Sequence, residues 1–179
     1  MSKCISALAV FVLIAGCTNT GDRKPSEVTS RDRDTVRYPF KATYSSNITV
    51  PGRPEYAQKV LTVWKMFELC NFDSMKSFYA DTVTYDPAGG GRFHGSSVAL
   101  MSYAKKDIES LDSLRFDIST WQSVHINDKN EDWVYIWARE RRYAKDGTAD
   151  TSLTHEQWKI EKGKVVYFNQ YLAKSPLGS

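Results

Sequence analysis

Cys17 is the residue whose position by itself predicts a covalent modification. It follows an apolar run over Ile5–Ile14 and stands directly after Ala15 and Gly16, close to a basic N-terminus. A basic start, a short apolar segment and small residues before a cleavage site describe a bacterial secretory signal. The cysteine predicts a signal peptide over residues 1–16 and a lipid on the Cys17 thiol. An ordinary cleaved signal and a buried helix are the alternatives.

A lipid on Cys17 would hold the protein at a membrane of the bacterial cell envelope. We expect a lipid-anchored protein that faces the periplasm or the cell surface. The apolar run is shorter than the ~20 helical residues that span a bilayer. The sequence does not specify which leaflet of the membrane holds the anchor.

The other residue types that carry chemistry lack a spacing that points to a metal, a cofactor or a nucleophile. His94, His125 and His155 form no metal-ligand pattern. Cys70 stands in an apolar segment without a nearby base, so we expect an inert, buried thiol. Gly89–Gly91 lacks the Lys-Ser/Thr ending of a phosphate-binding loop. The sequence predicts neither a metal nor a cofactor.

The charge distribution divides the chain into a tether and a domain. Residues 17–52 are predicted to be the lipidated cysteine and a flexible tether, since Thr18 to about Val50 is polar and lacks helical periodicity. Tyr38–Phe40 and Tyr44 are candidates for a short strand or for packing on the domain. The domain is predicted over 53–176. From Arg53 onward the chain carries 17 Lys and Arg against 17 Asp and Glu, which argues against nucleic-acid binding.

Hydrophobic spacing predicts three helices in the first half of the domain. Pro54 suits the first turn of a helix. A stripe at helical spacing follows it: Tyr56, Val60, Val63, Trp64 and Phe67. Asp73 is a candidate cap for a short second helix, and Ser96 or Ser97 for a third.

The strand signals predict an α+β fold. One strand is expected between the second and third helices, over Asp81–Asp86. Four more are expected after the third helix, with turn residues between them: about Leu114–Val124, Asp132–Tyr143, Leu153–Glu161 and Val165–Leu172. Helices followed by an antiparallel meander are typical of α+β domains.

Local sequence blocks carry a family resemblance. The blocks are Phe78–Asp81, Thr84–Gly89, Gly95, Glu156–Ile160 and Gly163–Val166. In this order they resemble the nuclear transport factor 2-like (NTF2-like) superfamily, which includes SnoaL-like cyclases and ketosteroid isomerase. The resemblance covers roughly Pro54 to Tyr171. It implies a cone, in which three N-terminal helices pack on a curved antiparallel sheet around a pocket.

The resemblance also implies roles for two carboxylates. Asp86 matches the aspartate that acts as the general base of ketosteroid isomerase. Glu156 matches the strand whose neutral carboxylic acid holds the developing oxyanion. The position of the oxyanion tyrosine holds Val63 and Trp64, with Tyr103 as one possible substitute and Tyr79 as another. Asp before Pro is also ordinary turn chemistry, and Glu156 could instead pair with an arginine.

Strand alternation limits which residues can face the pocket, and the resemblance selects the inner face. The expected lining residues are Trp64, Phe67, Tyr103, Trp137, Arg139, Arg141, Trp158, Phe168 and Gln170. Arg139 or Arg141 would then be the partner of Glu156. The outer face, with Val134, Ile136 and Tyr167, is a candidate homodimer surface.

Three functions remain open from the sequence. The first is a membrane-anchored protein that binds a small, partly apolar molecule, with an anionic group facing Arg139 and Arg141. The second is a cofactor-free isomerase, dehydratase or cyclase with Asp86 as general base. The third is a structural or partner-binding module whose pocket is filled by its own side chains. An open cavity of a few hundred Å3 would favour the first two.

Overall fold

The computed structural model describes residues 39–174. The signal peptide, Cys17 and the tether up to residue 38 lie outside the described residues. The fold described below belongs to the compact unit that begins at Ala42. Within the described part of the chain, no helix is both long and apolar enough to cross a membrane.

The first two helices form in the segments where the sequence predicts them, but the second has a different cap. Helix α1 spans Pro54–Glu68 with proline in its first turn, and its buried stripe contacts the sheet. Helix α2 spans Phe72–Met75, and a 3-10 turn over Lys76–Phe78 follows it. The cap of α2 is Asn71 rather than the expected Asp73, because the Asn71 side chain accepts the backbone N–H of Ser74.

Helix α3 completes the helical layer, and a sharp turn at Cys70 connects α1 to α2. Helix α3 spans Ser97–Asp107, and the Ser96 hydroxyl caps it by accepting the Ala99 N–H at 3.2 Å. Cys70 is exposed and has a φ of 56°. The expectation of a buried Cys70 was wrong, because α1 ends at Glu68 and the chain reverses before the next cap.

Seven strands form one mixed sheet. They are β1 (Ile48–Thr49), β2 (Tyr79–Asp86), β3 (Phe93–Ser96), β4 (Leu111–Ile126), β5 (Glu131–Ala144), β6 (Ala149–Glu161) and β7 (Lys164–Lys174). Their spatial order is β1-β4-β5-β6-β7-β2-β3. Every neighbouring pair is antiparallel except β2 and β7, which run parallel because the chain crosses from β2 through α3 before the meander.

Two strands were not predicted. Strand β3 contains Gly95, a residue that is rare in strands, and it forms by pairing with β2 along the sheet edge. Strand β1 falls inside the segment assigned to the tether. Ile48 pairs with Ile126, and the Thr49 hydroxyl donates to the Asn127 side chain at 3.0 Å. The end of the predicted tether therefore lies on the free edge of β4.

The face of β5 that packs on the helices is the opposite of the one expected. Val134 and Ile136 are completely buried, and Ala138 is 3% exposed. Since side chains alternate along a strand, this places Trp137 and Arg139 on the outer face. Val134 and Ile136 are therefore core residues and not a homodimer surface.

Candidate functional site

An open cavity of about 470 Å3 lies between the helices and the inner face of the sheet. Its aromatic wall is formed by Trp64, Phe67, Tyr79, Tyr85, Tyr103, Phe116, Trp158 and Phe168. The rings pack on one another: Phe168 stacks on Trp158 with centroids 4.4 Å apart and on Tyr85 at 4.3 Å. The presence of this open cavity argues against the third function considered above, in which the protein's own side chains fill the pocket.

Most of the residues expected to line the pocket lie on its wall. Those placed correctly are Trp64, Phe67, Tyr103, Glu156, Trp158, Phe168 and Gln170. They come from α1, α3, β6 and β7. The helical stripes of α1 and α3 and the alternation of the last two strands limited the choice, and the family resemblance selected the inner face of these strands.

Trp137, Arg139 and Arg141 do not reach the cavity. Antiparallel neighbours share a face, and Glu156 is paired with Ile136 rather than with Trp137. Trp137 instead stacks on His155 at 4.6 Å on the outer face. Arg141 forms an ion pair with Asp117 at 2.7 Å. The expected contact between these arginines and an anionic ligand, or Glu156, is therefore wrong.

Asp86 also lies outside the cavity wall. Arg92 donates to both of its carboxylate oxygens, at 2.6 and 2.7 Å, and the Tyr167 hydroxyl donates at 2.9 Å. The hydrogen bonds from Arg92 hold the pKa of Asp86 below its ordinary value, with Tyr167 adding to the effect. A general base in the pocket has to face the substrate, so the assignment of Asp86 as base was wrong. Its register partner in β7 is Asn169, on the outer face.

We expect Asp86→Asn to leave ligand binding in the cavity unchanged to within about twofold. The substitution keeps the shape of the side chain, and it removes the negative charge and one of the two acceptor oxygens that Arg92 and Tyr167 use on the outer side of β2. Isothermal titration of a cavity ligand against both proteins measures the effect. A loss of binding without a loss of thermal stability would contradict this placement of Asp86.

Glu156 is the buried acid of the cavity, and its partners are neutral. The Trp158 indole N–H donates to its Oε2 at 2.9 Å, and the Gln170 amide donates to its Oε1 at 3.0 Å. Burial raises the pKa of Glu156 to about 8, helped by the negative charge of Glu140 and against these hydrogen bonds. At neutral pH the side chain is therefore mostly a neutral carboxylic acid.

A short chain of hydrogen bonds orients this acid. The Tyr85 hydroxyl donates to Gln170 Oε1 at 3.2 Å, which leaves the Gln170 amide N–H2 directed at Glu156. Burial, with Glu156 nearby, raises the pKa of the Tyr85 hydroxyl, so it remains a donor. The inner wall therefore presents tyrosine, amide and carboxylic acid groups in one line.

A second polar group on the wall was missed by the sequence reasoning. Arg142 donates from Nε to Glu140 at 2.5 Å and from Nη2 to Asp107 at 2.9 Å. Both Glu140 and Arg142 line the cavity. The sequence does contain a signal for these two residues. Side chains alternate along β5, so Glu140 and Arg142 share a face with the apolar residues Val134 and Ile136.

No side-chain cluster in the described range 39–174 has three or more His, Cys, Asp or Glu residues placed to hold a metal ion. Among the polar groups on the cavity wall, Tyr85, Gln170 and Glu156 are joined by hydrogen bonds.

Solved structures with the same fold define the class of this domain. An NTF2-like protein of unknown function from Exiguobacterium sp. 255-15 aligns with a TM-score of 0.56 at 15% identity, over 65% of this chain and 99% of the other. A putative SnoaL-like polyketide cyclase from Shewanella denitrificans OS-217 aligns at 0.57 and 10% identity, over 68% and 92%.

A third similar structure contains a small molecule. It is a hypothetical protein with a ketosteroid isomerase-like fold from Catenulispora acidiphila DSM 44928, in complex with trimethylamine. It aligns with a TM-score of 0.53 at 15% identity, over 67% of this chain and 86% of the other. No family model and no curated protein sequence matches this chain. The chain has the NTF2-like α+β cone fold, as its sequence blocks predicted.

Proposed function

We propose that this protein is a membrane-anchored NTF2-like lipoprotein that binds a small, partly apolar molecule in its cavity. The observation that carries the proposal is the open cavity of about 470 Å3, with aromatic walls and a few convergent polar groups. Small-molecule sites have this size and this balance of apolar walls and placed polar groups. The trimethylamine complex of a protein with a similar fold supports small-molecule binding.

A cofactor-free enzyme is the second candidate, and Glu156 is the observation that favours it. A carboxylic acid with a pKa raised to about 8 is poised to give or take a proton near neutral pH. Glu156 would act in place of Asp86, which is bound to Arg92 on the other side of β2. The similar SnoaL-like protein is a putative cyclase, which supports chemistry of this kind.

Filling the cavity tests the binding proposal. Ala104 lines the cavity from α3 and is 8% exposed. We expect Ala104→Phe to weaken binding of benzyl alcohol by about tenfold or more, because the new ring occupies the ligand's space. Ala173→Phe, at an exposed position of β7, is the control and should bind as the wild type does. Equal binding by both variants would locate the ligand outside the cavity.

The anchor at Cys17 is the second part of the proposal. We expect mass spectrometry of the mature protein to find a lipid-modified Cys17 at its N-terminus, and the protein to fractionate with membranes. Cys17→Ala should remove both properties, since the thiol is the attachment point. A Cys17→Ala protein that is still processed and membrane-bound by the same route would refute the anchor.

A further inference from the structure

The cavity has a buried end and an exposed mouth. Val63, Met75 and Tyr79 line it and are 1%, 2% and 5% exposed. Other lining residues are open to solvent, among them Tyr103 at 44% and Leu172 at 42%. We therefore expect a ligand to enter past the exposed residues and to reach Tyr79 at the buried end.

The Tyr79 hydroxyl is a polar group of this buried end that has no partner in the described chain. Tyr79 is the first residue of β2, and its ring lies 6.2 Å from that of Trp158 and 6.0 Å from that of Phe168, between centroids. Burial and nearby charges, with no hydrogen bond, account for the shifted pKa of this hydroxyl. Within residues 39–174 its hydrogen-bonding capacity is therefore unused.

A ligand can reach this hydroxyl. Four unpartnered side-chain atoms of the described residues are sealed from solvent: Arg139 Nε, Glu140 Oε2, Thr154 Oγ1 and Asn169 Oδ1. The Tyr79 oxygen is also unpartnered but is not one of these four, so it keeps surface that a water-sized molecule can touch. Because the residue lines the cavity and is otherwise buried, the cavity gives access to this oxygen.

The hydroxyl is available as a donor. Burial, helped by nearby Glu156 and Tyr85, raises the pKa of Tyr79 well above its ordinary value, so the hydroxyl keeps its proton. The Tyr85 hydroxyl, by contrast, already donates to Gln170. A buried donor without an acceptor is unfavourable, so an acceptor on the ligand would be favoured at this point.

The surroundings favour an uncharged acceptor. Arg142 is the one cation among the described residues that line the cavity, and it is bound to Glu140 and Asp107. An anion at the buried end would lose its hydration without a free cation to pair with, which costs more than burying a neutral polar group.

We propose that the ligand of this cavity is an uncharged molecule with a hydrogen-bond acceptor on an apolar body, and that the Tyr79 hydroxyl donates to this acceptor. The acceptor enters first and reaches the buried end, and the apolar body fills the cavity behind it. This inference rests on the proposed binding function and deepens it by stating the ligand class and the residue that selects it.

Two probes of equal shape test the role of the hydroxyl. Benzonitrile carries an acceptor nitrogen where phenylacetylene carries a C–H group, and each is titrated into the full chain and into Tyr79→Phe. We expect Tyr79→Phe to weaken benzonitrile binding about threefold to tenfold, as for one neutral hydrogen bond, and to change phenylacetylene binding less than twofold. Comparing the effect of the substitution on each probe cancels their different hydration.

The outcomes separate this inference from the proposed function. Equal effects of Tyr79→Phe on both probes would overturn the inference and leave the proposed function intact, whereas no binding of either probe would contradict both. Benzoate should bind the wild type at least tenfold more weakly than benzonitrile, and equal affinity would refute an uncharged ligand.

Two further tyrosines show whether the effect belongs to Tyr79. Tyr171→Phe removes a hydroxyl from the outer face, where Tyr171 is 55% exposed, and should leave the affinity for both probes unchanged. Tyr103→Phe removes the hydroxyl at the mouth. A selective loss of benzonitrile binding in Tyr103→Phe, with none in Tyr79→Phe, would overturn the assignment.

Thermal unfolding without ligand gives a readout that does not depend on the probes. Tyr79→Phe should be at least as stable as the wild type, because its hydroxyl has no partner among the described residues to lose. Tyr85→Phe is the matched comparison and should be less stable, since it removes the donor to Gln170. A clear loss of stability in Tyr79→Phe would show that the hydroxyl bonds within the protein, which would contradict the inference.

Discussion

The free energy of unfolding should fall by several kcal/mol between about pH 5 and pH 9, and Glu156→Gln should remove most of that fall. Burial, helped by Glu140, raises the pKa of Glu156 to about 8 from an ordinary value of 4.5. Each unit between the folded and unfolded pKa values is worth about 1.4 kcal/mol. Urea titrations at a series of pH values measure the change.

The sign follows from proton binding. Between the two pKa values the folded protein binds one more proton at Glu156 than the unfolded chain does, so stability decreases as the pH rises. The contribution is fully present below the unfolded value and is lost as the pH passes the folded value. Gln cannot titrate, so its variant should give a flatter profile over this window.

Glu131 is the control, because its pKa moves in the opposite direction. Burial raises it, but hydrogen bonds from Lys159, Tyr44 and Trp133 outweigh the burial and lower the pKa to about 2. Glu131→Gln should therefore change the profile below about pH 4.5 and leave the alkaline fall in place. An alkaline fall that persists in Glu156→Gln would show that Glu156 is ionised in the folded protein.

The second large effect concerns the inner face of β5. We expect Ile136→Ala to lower the free energy of unfolding by about 2–5 kcal/mol, because Ile136 is completely buried and its truncation leaves a cavity in the core. Denaturant unfolding of the purified variant measures this difference.

Leu153→Ala is the matched control on the outer face. Leu153 is 45% exposed and is paired with Arg139, so its truncation should cost less than about 1 kcal/mol. The opposite ranking of the two variants would mean that Ile136 faces outward and that the sheet packs through the side expected from the sequence.

The sequence alone predicts the elements whose apolar residues recur with one clear period. Val60, Val63 and Trp64 recur at helical spacing and are buried as predicted, and the cap of α3 is Ser96, one of the two serines proposed for it. The four long strands follow from the turn residues between them. Strand β1 and strand β3 carry no such signal, because each is short and forms only by pairing with an existing edge.

The face of β5 could not be decided by alternation alone. One side carries Val134, Ile136 and Ala138, whereas the other carries Trp137 beside arginines, and large aromatic residues suit either a pocket wall or an outer surface. Burial distinguishes the two sides only when the helices are packed on the sheet, because Val134 and Ile136 are buried in one core with Val60 and Val63 of α1. Because the wrong face of β5 was chosen, Arg139 and Arg141 were expected to line the cavity. The structure places Glu140 and Arg142 there.

The direction of the Asp86 side chain depends on two contacts that the strand pattern does not contain, one across a turn and one long-range. Arg92 lies six residues away across the glycine-rich turn, and Tyr167 comes from a strand that joins β2 only in the folded sheet. Glu156 was correctly placed on the inner face because the family resemblance selected that face, which Glu156 shares with Trp158 and Ile160. Its buried setting, however, depends on Gln170 from β7.

The most direct test of the cavity as a binding site is a titration with benzyl alcohol, followed through the tryptophan indole N–H signals in nuclear magnetic resonance spectra. Trp158 lies on the cavity wall and donates to Glu156, whereas Trp137 lies on the outer face, so one spectrum contains both the probe and its control. Trp158→Phe and Trp137→Phe assign the two signals. The proposed function predicts a saturable shift of the Trp158 signal with the Trp137 signal unmoved. A Trp158 signal that stays in place while the ligand binds, or a shift of the Trp137 signal alone, would contradict it.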